Sequence, residues 1–254
     1  MKKNNGYEMK PIKCNDNEIP IVVPESMMIF APHPDDELLS CGGTMIKYRE
    51  LGTKITVVVA TGGKGGYAKQ DSKKDIEKKR QKEIDSVSKM LDVDFLELGF
   101  DEIEVNRYFV AKFTRMLRDY QPQVIFLPHY TDVHRAHRKL AEIVREAIYH
   151  TATGKAYGGS GKEFMPLAIY YYESPSCKYQ YIDENTFITV DISKYWDKKV
   201  EIFKKAYSSQ EEVIKRVTNW AESTATLRGT EINTKYGEAF IPSTEYVPLK
   251  ILLI

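Results

Sequence analysis

The stretch MIFAPHPDDELLSCGG, residues 28 to 43, joins an apolar run to a helix-like segment through one histidine and three acids. The apolar residues MMIFA predict a buried strand, and ELLSCGGTMIKYRELG predicts a helix that ends near Gly52. Carboxylates at this point could simply stabilise the first turn of the helix. Beside a histidine they could also bind a metal ion. The stretch therefore predicts the first strand and helix of the fold and a candidate site between them.

Short apolar runs and helix-period segments alternate along the rest of the chain. The further predicted strands are KITVVVAT, DFLELGF, QVIFLPHY, LAIYYYES and TFITVDI, and the further predicted helices cover 72–92, 107–120, 134–150, 195–209 and 211–229. This order predicts a single-domain α/β fold, a Rossmann-like three-layer sandwich with a mostly parallel sheet and right-handed crossovers. We assign residues 26–254 to this domain and residues 1–25 to a polar N-terminal extension. Polar, glycine-rich loops are expected at 62–70 and 151–164.

Composition excludes several classes of partner. The 37 lysines and arginines balance 36 aspartates and glutamates, so no global charge favours nucleic acid or an anionic membrane. No apolar run approaches the roughly 20 residues that span a bilayer, and the N-terminal residues lack a signal-peptide pattern, so we expect a cytoplasmic protein. Cys14, Cys41 and Cys177 are far apart and odd in number, which favours free thiols. Any metal would then need imidazole and carboxylate ligands.

Two predicted strands end in histidine-containing loops. FAPHPDDE follows the first strand and LPHYTDVHRAH follows the fourth, and ligands of open α/β sheets bind at these strand ends. If the two strands are neighbours, His33, Asp36 and His137 could supply the three protein ligands of a catalytic zinc site. Pro34 stiffens the first turn, so that Asp35 is expected to point away from the other two. His134 and His137 are three residues apart and share one face of the following helix.

Each of these residues also has a structural interpretation. Asp36 and Glu37 could only charge a helix start, and for Asp132 helix capping is favoured over metal ligation. His129 and His150 are given no site role. Three of the five histidines nevertheless fall into the short segments HPDDE and DVHRAH, which a random scatter explains poorly.

Several segments resemble the zinc-dependent N-acetylglucosamine deacetylases, also called the PIG-L or LmbE-like superfamily. PHPDDE resembles the first signature of that family, and DVHRAH resembles its second motif, D-x-H-x-D-H. ATGGKGG, RQKE, MLDV and YGEAF follow further parts of the family pattern. The resemblance covers roughly residues 26 to 241.

This resemblance implies a set of roles at the two motifs. His33, Asp36 and His137 would bind zinc or another divalent metal. Asp35 would be the general base, and His134 would stabilise the oxyanion and protonate the leaving amine. A zinc ion lowers the pKa of its bound water towards about 7 and polarises a carbonyl group.

The resemblance also implies the activity and its partners. The protein would remove the acetyl group from an N-acetylated amino sugar or conjugate and release acetate, with Arg80 and Asp101 contacting the substrate. Relatives are often trimers or hexamers, so a homo-oligomer is expected. The identity of the acetylated substrate is not contained in these motifs.

Two departures from the family pattern keep alternatives open. Ala136 replaces the aspartate between the motif histidines, and Gly62 replaces the acid that often follows the loop threonine. One alternative is a non-catalytic zinc-binding relative. The other is a nucleotide-binding α/β protein whose TGGKGG loop cradles a phosphate, although its glycine spacing matches neither of the usual phosphate motifs.

Overall fold

The computed structural model describes residues 23–63, 73–153, 157, 161–179, 186–207 and 211–243, and within these ranges the chain forms seven strands and six helices. The strands are β1 (Ser26–Ala31), β2 (Lys54–Thr61), β3 (Asp94–Phe100), β4 (Val124–Pro128), β5 (Ala168–Tyr172), β6 (Ile188–Asp191) and β7 (Gly237–Pro242). The helices are α1 (Asp36–Glu50), α2 (Lys73–Leu91), α3 (Arg107–Tyr120), α4 (Arg135–Thr151), α5 (Trp196–Ala206) and α6 (Glu211–Glu231). Outside the described residues lie Cys14, the first 22 residues of the predicted extension, residues 64–70 of the first predicted loop, and 154–156 and 158–160 of the second.

The strands form one sheet in the order β3-β2-β1-β4-β5-β7-β6. β1 pairs in parallel with both β2 and β4, and β3 and β5 continue the parallel pairing outward. Only β7 runs against its neighbours β5 and β6. This arrangement confirms the predicted mostly parallel sheet.

Each face of the sheet buries its own apolar core, which confirms the three-layer architecture. Successive side chains of a strand point to opposite faces, so in β1 Met27 and Ile29 pack with α1, α2, α5 and α6. Met28 and Phe30 pack with α3 and α4 on the other face. A strand buried on both sides needs a continuous apolar run, and β1 has one.

The last strand, β7, was not predicted. Its sequence GEAFIP contains a glycine, an acid and a proline, all of which are depleted in strands. The glycine is required because a Cβ at Gly237 would lie 2.5 Å from Thr189 Cγ2. Glu238 is buried against Lys199, with 2.7 Å between Oε1 and Nζ, and accepts backbone hydrogen bonds from Gly43 and Thr44. Tertiary contacts therefore stabilise a segment whose own pattern is weak.

The fold places the two histidine motifs side by side. β1 and β4 are adjacent and parallel, with Met27 opposite Val124. After β1 the chain continues to β2 on one side of this pair, and after β4 it continues to β5 on the other side. Such a switch point opens a crevice at the carboxyl ends of the strands. Cys41 and Cys177, the two cysteines among the described residues, are buried and not joined in a disulfide. None of the helices in the described ranges combines the length and hydropathy that a bilayer span requires.

Candidate metal centre

The loop after β1 turns sharply at Asp35. This residue has φ 110° and ψ −29°, a left-handed conformation that residues other than glycine rarely adopt. Such a conformation costs of order 1–3 kcal/mol. Asp35 occupies the N-cap position of α1, where an aspartate usually accepts a hydrogen bond from the first turn, yet its side chain makes no capping bond. The carboxylate is therefore not committed to the helix.

Asp36, the next residue, faces two histidines. Its Oδ2 accepts a hydrogen bond from the backbone N–H of His33 at 3.0 Å, and it lies 3.1 Å from His33 Nδ1 and 3.4 Å from His137 Nε2. Burial opposes ionisation of Asp36, but the neighbouring His137 and His33 outweigh burial and hold the pKa of this carboxyl well below its usual range. Asp35 and Asp36 thus have different partners, as the turn at Pro34 predicts.

The loop after β4 brings two more imidazoles to the same place. His134 is the N-cap residue of α4, and His137 lies in its first turn. The ring centroids are 4.8 Å apart for His134 and His137, 4.9 Å for His33 and His134, and 5.6 Å for His33 and His137. His137 is buried, His33 is half-buried and His134 is exposed. The cluster therefore opens to solvent on the His134 side.

Asp132 contacts both histidines of the second motif, His134 through its backbone and His137 through its ring. It has no exposed surface, its Oδ1 accepts the backbone N–H of His134 at 2.7 Å, and its Oδ2 accepts the Ser174 hydroxyl at 2.7 Å. The same Oδ2 lies 2.9 Å from His137 Nδ1. The prediction that Asp132 caps the helix is wrong, because His134 takes the N-cap position and the carboxylate turns inward to His137. A carboxylate against Nδ1 leaves Nε2 to face the centre.

The surrounding charges set the protonation of the imidazoles. Burial by itself would lower the pKa of His137, but the carboxylates of Asp36 and Asp132 raise this pKa to about 10. Burial opposes ionisation of Asp132, yet contact with His137 lowers its pKa to about 2. Burial and the nearby His137 and His33 lower the pKa of His134. The pKa shifts of these two histidines are therefore opposite, since that of His137 is raised and that of His134 is lowered.

Arg80 lies beside Asp35, whereas Asp101 follows β3, farther along the sheet. The buried Arg80 has its Nη1 3.0 Å from Glu83 Oε2 and 3.6 Å from Asp35 Oδ2. Burial raises the pKa of Asp35 well above its usual value, the charge of Asp36 adds to this, and Arg80 acts in the opposite direction. Asp101 is exposed directly after β3, two strands away from β1 in the sheet. Of the two predicted substrate contacts, only Arg80 lies beside the proposed base.

Glu37 lies in the first turn of α1, as the sequence predicted, but it also has specific buried partners. It is fully buried, and its Oε1 accepts a hydrogen bond from the Tyr207 hydroxyl at 2.7 Å. Its Oε2 accepts the backbone N–H of Asp35 at 3.1 Å. Burial raises the pKa of Glu37 to about 7. An acid at a helix start is usually exposed to water. The Glu37 side chain is instead buried, and each of its two oxygens accepts a hydrogen bond.

Two residues that contact the site were missed by the sequence analysis. Ser174 follows β5, the next strand beyond β4, so its position at a strand end was a usable signal. Tyr207 follows α5 in a segment with no motif, and no pattern in the sequence connects it to Glu37.

The donor set fits a divalent transition metal. One nitrogen from each of His33, His134 and His137 lies within 4.8 Å of the others, and Asp36 Oδ2 lies between two of the rings. Imidazole and carboxylate together are usual zinc ligands, with three from the protein at catalytic sites. Two three-ligand sets are geometrically available, either with Asp36 or with His134 beside His33 and His137.

A comparison with protein families matches residues 28–148 to the PIG-L model, described as GlcNAc-PI de-N-acetylase. The matched segment contains most of β1, most of α4 and everything between them, and so includes both histidine motifs.

Three solved structures share the fold over most of the chain. A conserved protein from Thermus thermophilus is 24% identical with a TM-score of 0.74, and the alignment covers 91% of this chain and 97% of that one. The N,N'-diacetylchitobiose deacetylase from Pyrococcus horikoshii is 21% identical with a TM-score of 0.74, covering 89% and 87%. GalB, the 4-carboxy-2-hydroxymuconate hydratase from Pseudomonas putida, is 18% identical with a TM-score of 0.73, covering 88% and 98%. These likenesses show the fold, and a fold alone does not determine the reaction.

Proposed function

We propose that this protein, a member of the PIG-L superfamily through residues 28–148, is a zinc-dependent hydrolase that removes the acetyl group from an N-acetylglucosamine-containing substrate. One observation carries the proposal. His33, Asp36 and His137 converge at the switch point of the sheet, and the adjacent Asp35 carboxylate is not used to cap its helix. A purely structural metal site has no need of the second carboxylate.

His33, Asp36 and His137 are the proposed ligands of the zinc ion. Asp36 Oδ2 already faces nitrogens of both histidines, and the Asp132 carboxylate at His137 Nδ1 orients this ring and keeps Nε2 towards the centre. When bound, zinc supplies a Lewis acid and a water molecule of lowered pKa. Another divalent metal with the same ligand preference would serve the same role.

Asp35 is the proposed general base. A base works best when its pKa lies near the working pH, and burial raises the pKa of Asp35 in that direction. Arg80, whose Nη1 lies 3.6 Å from Asp35 Oδ2, limits this shift. Asp35 would then accept the proton of the attacking water and release it to solvent after the product departs, while His134 would supply the proton of the leaving amine.

His134 is the proposed proton donor at the mouth of the site. Its exposed ring stands beside those of His33 and His137, where a substrate nitrogen has access. In the family pattern an aspartate two residues on accompanies this histidine, and here that residue is Ala136. Asp132 contacts the backbone amide of His134 rather than its ring, so His134 donates its proton without a carboxylate partner of that kind.

The substrate class is proposed from family and surroundings together. The PIG-L model and the diacetylchitobiose deacetylase both concern N-acetylated glucosamine compounds, which supports an acetylated amino sugar or conjugate. Val133, next to His134, is 76% exposed and offers an apolar contact at the rim. Arg80 and Asp101 are proposed as further substrate contacts.

A second candidate function is a zinc-binding relative without catalysis, and Ala136 is the observation that favours it. The two functions differ in a single assay. Purified protein is incubated with a panel of acetylated amino sugars and conjugates, and free acetate and zinc content are both measured, with Asp35→Asn as a matched variant. We expect acetate from the wild-type protein and full zinc content with little acetate from the variant. Zinc bound by both proteins with acetate from neither supports the non-catalytic relative.

A further inference from the structure

The hydrogen bond between Glu37 and Tyr207 lies directly behind the proposed base. Glu37 Oε1 accepts the Tyr207 hydroxyl at 2.7 Å, and Glu37 Oε2 accepts the backbone N–H of Asp35 at 3.1 Å. Glu37 has no exposed surface and Tyr207 is 1% exposed. Tyr207 is the residue that ends α5, and α5 packs against α1. The Glu37 carboxyl group therefore connects Tyr207, at the end of α5, to the backbone of Asp35.

This arrangement resembles one half of a familiar helix-start motif. In a capping box the N-cap side chain bonds to the backbone N–H of the third helical residue, and an acid at that third position bonds back to the N-cap N–H. Here an acid at the second position, Glu37, makes the return bond to Asp35, but Asp35 makes no forward bond. The Asp35 carboxylate is thus not used to cap the helix, while the Asp35 backbone N–H is still hydrogen-bonded to Glu37.

Asp35 needs such support because its backbone is left-handed, with φ 110°. Residues persist in this region only when their surroundings fix them. The Asp35 carbonyl accepts the N–H of Leu39 at 3.0 Å, and the Asp35 N–H has Glu37 as its acceptor. Without Glu37 the amide side of this turn loses its polar contact, and the direction of the Asp35 carboxylate is no longer set.

We propose that Glu37 and Tyr207 are positioning residues that hold the left-handed turn at Asp35 and so aim its carboxylate into the cleft. The inference rests on the proposed function, because the direction of the Asp35 carboxylate affects turnover only if Asp35 is the general base. Glu37 acts through its hydrogen bonds, with Tyr207 fixing the rotamer of the Glu37 side chain.

Two substitutions of Glu37 separate hydrogen bonding from charge. In Glu37→Gln the amide oxygen can accept the Asp35 N–H while the amide nitrogen donates to the Tyr207 hydroxyl oxygen, so both contacts are kept. Glu37→Met has a similar length and makes neither contact. We expect Glu37→Gln to keep most of the wild-type kcat, and Glu37→Met to lose about 10- to 100-fold in kcat, the scale of a misplaced catalytic group. KM and zinc content should stay unchanged in both.

Tyr207→Phe and a double variant separate positioning from stability. Tyr207→Phe leaves the buried Glu37 without one donor and should lower both kcat and the unfolding temperature. Glu37→Met with Tyr207→Phe replaces both partners by apolar groups, which restores stability in many buried pairs, and kcat should remain low. The matched control is Tyr179→Phe, because this buried hydroxyl donates to the Tyr171 carbonyl at 2.5 Å away from Asp35. The control should lose stability and keep kcat.

Hydrogen exchange at the Asp35 amide gives a readout that does not need turnover. In the zinc-loaded proteins, this amide should exchange faster in Glu37→Met than in the wild type and at the wild-type rate in Glu37→Gln. Equal exchange in all three, or Glu37→Gln as inactive as Glu37→Met, overturns the positioning role. If the wild-type protein releases no acetate, the proposed function fails, and the exchange rates still decide whether Glu37 holds the turn.

Discussion

Replacement of Asp132 by asparagine tests how the site sets the tautomer of His137. The carboxylate Oδ2 lies 2.9 Å from His137 Nδ1 and accepts the Ser174 hydroxyl at 2.7 Å, with no exposure to water. The asparagine oxygen can accept the His134 N–H in place of Oδ1, which leaves the amide NH₂ facing His137 Nδ1. Two donors then oppose each other, so the ring should shift its proton to Nε2. The nitrogen that faces the centre is thereby lost as a ligand.

The expected loss of zinc affinity follows from the loss of the contact between Asp132 and His137 Nδ1. Removing the partner that orients a metal-binding histidine typically weakens metal affinity about 10- to 100-fold, or about 1.4–2.7 kcal/mol. Ser174→Ala removes only the hydroxyl that bonds to Asp132 and keeps the tautomer, so its loss should be smaller. Asp191→Asn is a matched control, since Asp191 ends β6, the far edge strand of the sheet, and its carboxylate accepts hydrogen bonds from Ser193.

Zinc affinity is measured by competition with a chromophoric chelator at fixed pH, with circular dichroism as a check of folding. The expected order of affinity is wild type equal to Asp191→Asn, then Ser174→Ala, then Asp132→Asn. Wild-type affinity in a folded Asp132→Asn protein would refute the orienting role.

The same contacts support further predictions. Asp35→Asn should keep its zinc and lose about 10²-fold or more in turnover; full activity would remove Asp35 as the base. His137→Ala should lose zinc by elemental analysis, and unchanged stoichiometry would contradict its role as a ligand. Because the pKa of His137 is raised from 6.5 to about 10, its proton must leave when zinc binds, so apparent affinity should increase as pH rises towards 10, and a flat profile would be inconsistent. The same shift stabilises the chelator-treated protein below pH 6.5, and this stabilisation should be lost as pH rises through about 10 in thermal unfolding. Burial raises the pKa of the Cys41 thiol, so iodoacetamide should modify it only after unfolding, which mass spectrometry can check.

The layers of the fold could be predicted because hydrophobic periodicity is local. The continuous apolar runs of β1 and β4 indicated buried parallel strands, and the placement of both histidine motifs at one edge of the sheet follows from that. β7 could not be predicted in this way, since the buried charge of Glu238 is paired with Lys199 of α5, which is distant in the sequence. Local pattern does not contain such a partner.

The residues of the candidate site also divide into those whose contacts are local in the sequence and those whose contacts are distant. The convergence of His33 and Asp36 depends on a turn of four residues, which the sequence contains. Glu37 was given only the role of a helix-start charge, because its partner Tyr207 is 170 positions away and has no motif around it. Asp132 looked like a cap because its spacing before α4 suits one, whereas its actual contact is decided by where His137 lies. Long-range packing assigns these roles.

Acetate release is expected to depend on the metal held at this cluster. The most direct measurement is acetate release from an acetylated amino-sugar substrate by the purified protein, first after complete chelation and then during titration with zinc. We expect no release after chelation and recovery that saturates at one zinc per chain. Release that continues undiminished in the chelated protein would contradict the claim.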